Sequence, residues 1–286
     1  MNNTTILPET IYTPESQMRS PRLLLRAMVS DIKASRELSW RLFVRDLSAQ
    51  YRQSVFGVLW AFVPPIITSI IFIILQSRNI VNFGETDIPY PVFVLVGTIL
   101  WQLFTESLNA PLKSVTAARP VLVKINFPRE ALIISAVYLT LFNLSIKLVV
   151  LAVIFVIFQV PLTWGMLLAP VAIIMLMLLG ITLGLLITPL GMLYTDVTTA
   201  LPVILSLWFF LTPVVYPPPD VFPYSFIAML NPVSPLLVAA RDLLTLGEMT
   251  NVVAFLLVSL FTIVVLFIAW VLYRVSLPII IERMSA

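Results

Sequence analysis

Two ionisable side chains stand well inside long apolar runs, Glu106 and Lys147. A charge in a lipid-embedded helix costs about 3 kcal/mol on insertion scales, so each marks a place where a charge pairs, meets a headgroup or lines an aqueous path. Glu106 lies 15 residues along a run descending from one side and Lys147 16 residues along a run rising from the other. At 1.5 Å per residue these are depths of about 22 and 24 Å, past the midplane in opposite directions. The spacing therefore predicts no ion pair and no proton relay. It places Glu106 as a hydrogen-bonded carboxyl near the inner interface and Lys147 as an ammonium snorkelling to the outer headgroups, with channel lining as the functional alternative for both.

Other chemistry is excluded by what the 286 residues lack. With no His and no Cys there is no imidazole base, no thiolate and no ordinary metal site. The eight glycines form neither a phosphate-binding loop nor a dinucleotide fingerprint. Asp196, Asp220, Asp242 and Glu248 are scattered, which argues against a membrane enzyme such as a lipid-linked glycosyltransferase. No catalytic, cofactor or metal residue is expected in this chain, and any ATP-driven work must come from another.

The elements that position these residues follow from composition. Hydrophobic residues make up 60% of the chain and charged residues 11%, with mean hydropathy +1.04, against about 45–50% and 25% in soluble domains. A bilayer tolerates such a sequence when each backbone closes its own hydrogen bonds, so the fold class is an all-α membrane protein. Uncharged or nearly uncharged runs of about 20 residues predict six spans, at Val55–Leu75, Pro91–Leu112, Ala131–Phe158, Leu167–Leu190, Val197–Tyr216 and Val252–Tyr273. They form one transmembrane domain over 55–273, between a cytoplasmic N-terminal segment (1–54) and a cytoplasmic tail (274–286). Residues 1–20 are polar and lack the short apolar stretch of a cleaved leader.

Fourteen Lys and Arg residues outside the spans fall on one face of this topology and only Arg78 and Arg241 on the other. Both termini are therefore expected in the cytoplasm, and the pI of 9.3 reflects membrane topology rather than nucleic-acid binding. Trp40, Phe43, Val44, Leu47 and Tyr51 recur at helical spacing, with Arg41, Arg45, Ser48 and Arg52 one residue behind. This predicts an amphipathic helix over 36–52 lying in the headgroup layer. A shorter helix starting at Ser20-Pro21 is expected upstream as a docking element. The proline-rich stretch 217–245 predicts two re-entrant half-helices at the outer face, not a seventh span. Gly180 and Gly184 form a small-residue face for close helix packing, within the chain or across a dimer. Trp101 and Phe104, beside Gln102, Thr105 and Glu106, mix flat rings with hydrogen-bonding groups, as a sugar chain sliding past would require.

Several motifs together resemble a known family. They are Arg45-Asp46-Leu47, Tyr51-Arg52-Gln53-Ser54-Val55-Phe56-Gly57-Val58-Leu59-Trp60 with Pro64-Pro65, Asn126-Phe127-Pro128-Arg129-Glu130, Tyr194-Thr195-Asp196, Phe209 to Pro217, Asn231-Pro232 with Pro235, and Arg241-Asp242-Leu243-Leu244. In order and placement they are similar to the permease subunits of type-2 ABC exporters for polysaccharides and polyol phosphates, those of O-antigen, capsule and teichoic acid. The resemblance runs from about residue 36 to the C-terminus, and residues 1–35 match no part of the pattern.

The resemblance implies a homodimeric permease in a bacterial inner membrane. It is paired with a separate nucleotide-binding subunit that holds ATP and Mg, and it moves an undecaprenyl-diphosphate-linked glycan. It places a gate or coupling element at 113–130, and offers Arg45 and Arg52, with Lys124 and Arg129 behind them, as cations for the diphosphate headgroup. Trp101, Phe104, Glu106 and Lys147 are the channel-lining candidates. An exporter of drugs or lipids with the same architecture, or a channel or secondary transporter independent of ATP, are the alternatives.

Overall fold

A computed structural model of the chain describes residues 21–52, 57, 60, 62–80, 84, 86–122, 128–219, 221–222 and 224–285. Among the described residues there are nine α-helices and no strand. The first, α1 (Pro21–Tyr51), is one helix of 31 residues rather than the two expected. No Gly or Pro lies between Ile32 and Trp40, so nothing ends the first helix before the second begins. Its buried edge is Met28, Ser35, Ser39 and Phe43, laid against α4 (Glu130–Ile157). The Phe43 ring meets Tyr138 and Phe142 at 6.0 and 6.2 Å. Trp40 and Val44 remain exposed, so the apolar face is divided between protein and surroundings.

Proline sets several boundaries. Pro64 and Pro65 occupy the first turn of α2 (Val63–Ser77), where their missing N–H groups cost nothing. The first apolar run therefore yields a helix of 15 residues, about 22 Å against a hydrocarbon core of about 30 Å. Likewise α6 (Thr195–Leu211) has 17 residues and stops where Thr212 turns extended, at φ −104 and ψ 136, ahead of Pro213. Among the described residues four helices are long and apolar enough to cross a membrane: α3 (Tyr90–Leu122), α4, α5 (Ala169–Leu193) with the 3-10 turn Trp164–Leu168 leading into it, and α9 (Val252–Ser285). α9 continues well beyond Tyr273, so residues expected as a tail extend the last helix.

α3 and α5 form the centre, and every residue from Val92 to Trp101 is buried. A Cβ on Gly180 would fall 2.7 Å from the Phe104 carbonyl oxygen, and one on Gly184 2.3 Å from that of Leu108. The small-residue face thus packs on α3 of the same chain. α4 and α9 lie outside this pair and leave apolar stripes exposed, including Val149, Val153 and Val156 on α4.

The proline-rich stretch does hold two short helices, α7 (Tyr224–Leu230) and α8 (Val233–Thr245). They are unlike: Phe226, Met229 and Leu230 of α7 are exposed, while α8 is buried along most of its length against α3, α5 and α9.

Candidate functional site

Between α3 and α6, with Thr68 of α2 at one edge, lies a cavity of about 860 Å³. On α3 its wall is Thr98, Trp101, Gln102, Thr105, Asn109, Leu112, Lys113 and Thr116, a spacing of three and four that keeps one helix face on the cavity for 18 residues, roughly 27 Å. On α6 the facing residues are Thr198, Leu201, Pro202, Leu205, Ser206, Phe209 and Phe210, again at helical spacing. The polar groups are pre-oriented. Thr105 donates to the Gln102 carbonyl at 3.1 Å, Ser206 to that of Pro202 at 2.8 Å and Thr198 to that of Thr195 at 2.6 Å. Asn109 Nδ2 donates to the Thr105 carbonyl at 2.7 Å. With these hydroxyl protons spent on their own helices, Thr105, Thr198 and Ser206 offer an occupant oxygen lone pairs, suited to hydroxyl donors, while Gln102 and Lys113 on the same wall supply N–H donors.

Aromatic rings close one end of the cavity. Trp101 meets Phe209 edge-on at 5.8 Å, and Phe209 meets Phe210 in the same way at 5.3 Å. Behind them Trp101 touches Phe104 and Phe104 touches Trp208. Trp208 Nε1 donates to Asn231 Oδ1 at 3.0 Å, and Asn231 Nδ2 donates to Thr212 Oγ1 at 2.8 Å, which ties the end of α6 to the start of α8. Trp101 therefore stands on the cavity wall, whereas Phe104 is fully buried behind it as a support for the rings.

Glu106 and Lys147 point elsewhere, and they are paired. Lys147 Nζ donates to Glu106 Oε1 at 2.5 Å, with the lysine side chain 1% exposed and the glutamate 36%. This overturns the expectation that they lie at different depths. The depths had been counted from the ends of the apolar runs, but α3 extends ten residues beyond Leu112, to Leu122. Counted from the consecutive ends of α3 and α4, Glu106 is 16 residues from Leu122 and Lys147 17 from Glu130, about 24 and 26 Å along neighbouring helices. The two residues stand level, joining α3 to α4 rather than lining the cavity.

Two further clusters were not foreseen. Arg274, counted in the sequence only as a topology signal, donates to Asp31 Oδ2 at 2.6 Å and to Glu130 Oε1, binding α9, α1 and α4 together at one end of the bundle. Arg241 is 2% exposed and donates to the Pro213 carbonyl at 2.9 Å, with its guanidinium 3.8 Å from the centre of the Phe93 ring. Beside it Asp242 accepts from Thr250 Oγ1 at 2.5 Å. For Arg241 the signal was the Arg241-Asp242 pair closing an otherwise uncharged proline-rich run. For Arg274 there was none, because its partners are distant in sequence.

The headgroup candidates are dispersed. Arg45 pairs with Asp46 at 2.8 Å, Arg52 is exposed at the end of α1, Arg129 caps the start of α4, and Lys124 lies outside the described residues. None of the three described arginines lines the large cavity.

Residues 37–245 match the family model of the ABC-2 type transporter. The chain is 29% identical over 194 residues to the O-antigen export system permease protein RfbA of Myxococcus xanthus, covering 66% of this chain and 72% of that one. It is 27% identical to a protein of the same name from Klebsiella pneumoniae, over 71% and 78%. With the polysialic acid transport protein KpsM of Escherichia coli it shares 25% identity over 82% and 91%. A matched stretch of 209 of the 286 residues, an all-helical bundle and four membrane-length helices place this chain in the ABC-2 type transporter family, as a permease subunit whose ATPase is a separate chain.

Proposed function

We propose that this chain forms the membrane path through which an ABC complex exports a lipid-linked polysaccharide of the O-antigen kind across a bacterial inner membrane. The observation that carries the reading is the groove of hydroxyl, amide and ring groups along α3 and α6. A polar face of this length in a membrane bundle needs water or a polar occupant. Rings stack on the apolar faces of sugars, and the acceptor lone pairs receive sugar hydroxyls without holding any one position tightly, as translocation requires. The names of the relatives agree with this substrate class.

In this reading α2 and α6 cross as the first and fifth of six spans, both termini are cytoplasmic, and α7 and α8 dip into the outer leaflet. Arg241 lies buried among carbonyls rather than in a loop, which leaves Arg78 as the sole basic residue of the outer loops and sharpens the charge asymmetry. The flanks of the groove, Ile67, Ile70 and Ile71 on α2 and Val203, Ile204 and Leu207 on α6, are exposed and apolar, as a second copy closing the channel would need. A partner subunit hydrolyses ATP and the Arg274 cluster passes its motion to α1, α4 and α9. Leu201 and Leu205 on the same wall favour the second reading, a drug or lipid exporter.

The test is ATP hydrolysis by the chain co-purified with its ATPase, with and without an undecaprenyl-diphosphate-linked glycan. Stimulation by the glycan that T105V/N109L reduces at least tenfold, with basal hydrolysis kept, supports the path. Stimulation by apolar drugs alone, or failure to hold any ATPase, refutes it.

A further inference from the structure

The two walls of the groove continue by one turn into a second cavity of about 410 Å³, lined by Arg119, Met192, Leu193, Tyr194, Thr195 and Arg283. On α3, Thr116 faces the first cavity and Arg119, three residues on, faces the second; on α6 the corresponding step is from Thr198 to Thr195. The second cavity therefore sits at the mouth of the groove, 18 residues along α3 from Trp101. Its cations come from two elements far apart in sequence, the end of α3 and the end of α9, and the junction of α5 and α6 contributes Tyr194 and Thr195 to the wall. Among the described residues neither arginine has a carboxylate partner, and Asp196, though next to Thr195, is not on the wall.

Two arginines around one space, with a tyrosine and a threonine beside them and no acidic residue on the wall, suit a doubly charged ligand with several acceptor oxygens. We propose that this cavity binds a diphosphate group, with Arg119 and Arg283 each holding one phosphate at the entrance to the groove. The proposal deepens the exporter reading, on which its biological meaning rests. It assigns the diphosphate end of the substrate to residues other than Arg45, Arg52, Lys124 and Arg129.

Binding is read on the full chain in neutral detergent by native mass spectrometry, without ATPase, so the result does not depend on whether export is observed. Undecaprenyl diphosphate is titrated into the wild type, R119Q, R283Q, R119Q/R283Q, R119K/R283K and R78Q, the last removing a cation from the opposite end of the bundle. Roughly tenfold weaker binding for each arginine lost, and about a hundredfold for both, is expected. The lysine variant should stay within a few-fold of wild type and R78Q should match it. Free pyrophosphate in excess should displace the lipid. If pyrophosphate alone binds as tightly as the lipid, the diphosphate site stands and its source is a soluble ligand. Unchanged affinity in R119Q/R283Q, no displacement by pyrophosphate, or equal binding of phosphatidylglycerol overturns the proposal. The single variants decide the matter should the double variant not fold.

Discussion

Replacing Glu106 by Leu while keeping Lys147 strands an ammonium whose side chain is 1% exposed and whose one acceptor, Glu106 Oε1, has gone. Removing one partner of a buried ion pair costs about 3–5 kcal/mol, because the surviving charge has lost its solvation without compensation. Replacing Lys147 by Met strands the carboxylate instead. Its Oε2 is already buried without a partner while the side chain as a whole is 36% exposed, so the cost should fall toward the lower end, about 3 kcal/mol. The double variant E106L/K147M removes both charges and keeps apolar volume between α3 and α4. It should cost only about 1 kcal/mol where the single variants cost about 4 and about 3, a coupling energy of about 6 kcal/mol between two side chains 41 positions apart. The assay is reversible unfolding of the purified chain in mixed micelles by added SDS, with thermal unfolding as a second reading in which each single variant drops by about 10 °C. If the losses in the two single variants simply add in the double variant, the residues do not interact, and the level register of Glu106 and Lys147 on α3 and α4 is wrong.

Arg241→Ala should loosen the packing of α8 on α3, since the guanidinium donates to the Pro213 carbonyl and covers the Phe93 ring. A loss of about 3 kcal/mol is expected, with Arg241→Lys recovering only part of it, as measured by the same unfolding assay. Gly184→Ala should cost about 1–3 kcal/mol, because the added Cβ would lie 2.3 Å from a backbone oxygen that cannot move without parting α3 from α5; an unchanged unfolding midpoint would contradict that packing. Arg274→Gln should release α1 from α4 and α9, seen as at least fivefold faster protease cleavage between Asp31 and Tyr51 while cleavage elsewhere is unchanged.

The membrane class, the helical content and the family were legible in the sequence because each rests on a local or additive property: hydropathy summed over a run, proline positions, or short motifs in order. The two short helices of the proline-rich stretch, one on each side of Pro232, followed in the same way. Helix ends were less legible. Apolarity reports where lipid is tolerated, whereas a helix runs on wherever its backbone hydrogen bonds close, here past Pro111 and Pro120 in α3 and past Pro278 in α9. α3 and α9 therefore outrun their apolar runs, and α2 falls short of its own.

Tertiary structure alone decided which residues meet. The Glu106–Lys147 pair depends on where α3 ends, and an error of ten residues there displaces a depth by about 15 Å. Trp101 and Phe104 are three apart on one helix, yet one lines the groove and the other supports it, because α6 and its Trp208 arrive from only one side. Asp31, Glu130 and Arg274 span 243 positions of sequence. No spacing rule joins them, only the packing that brings three helix ends to one place. Sequence fixes what each segment can bury, and the packing of α3 against α5, set by glycines that permit contact at backbone distance, determines which faces are left to form a path.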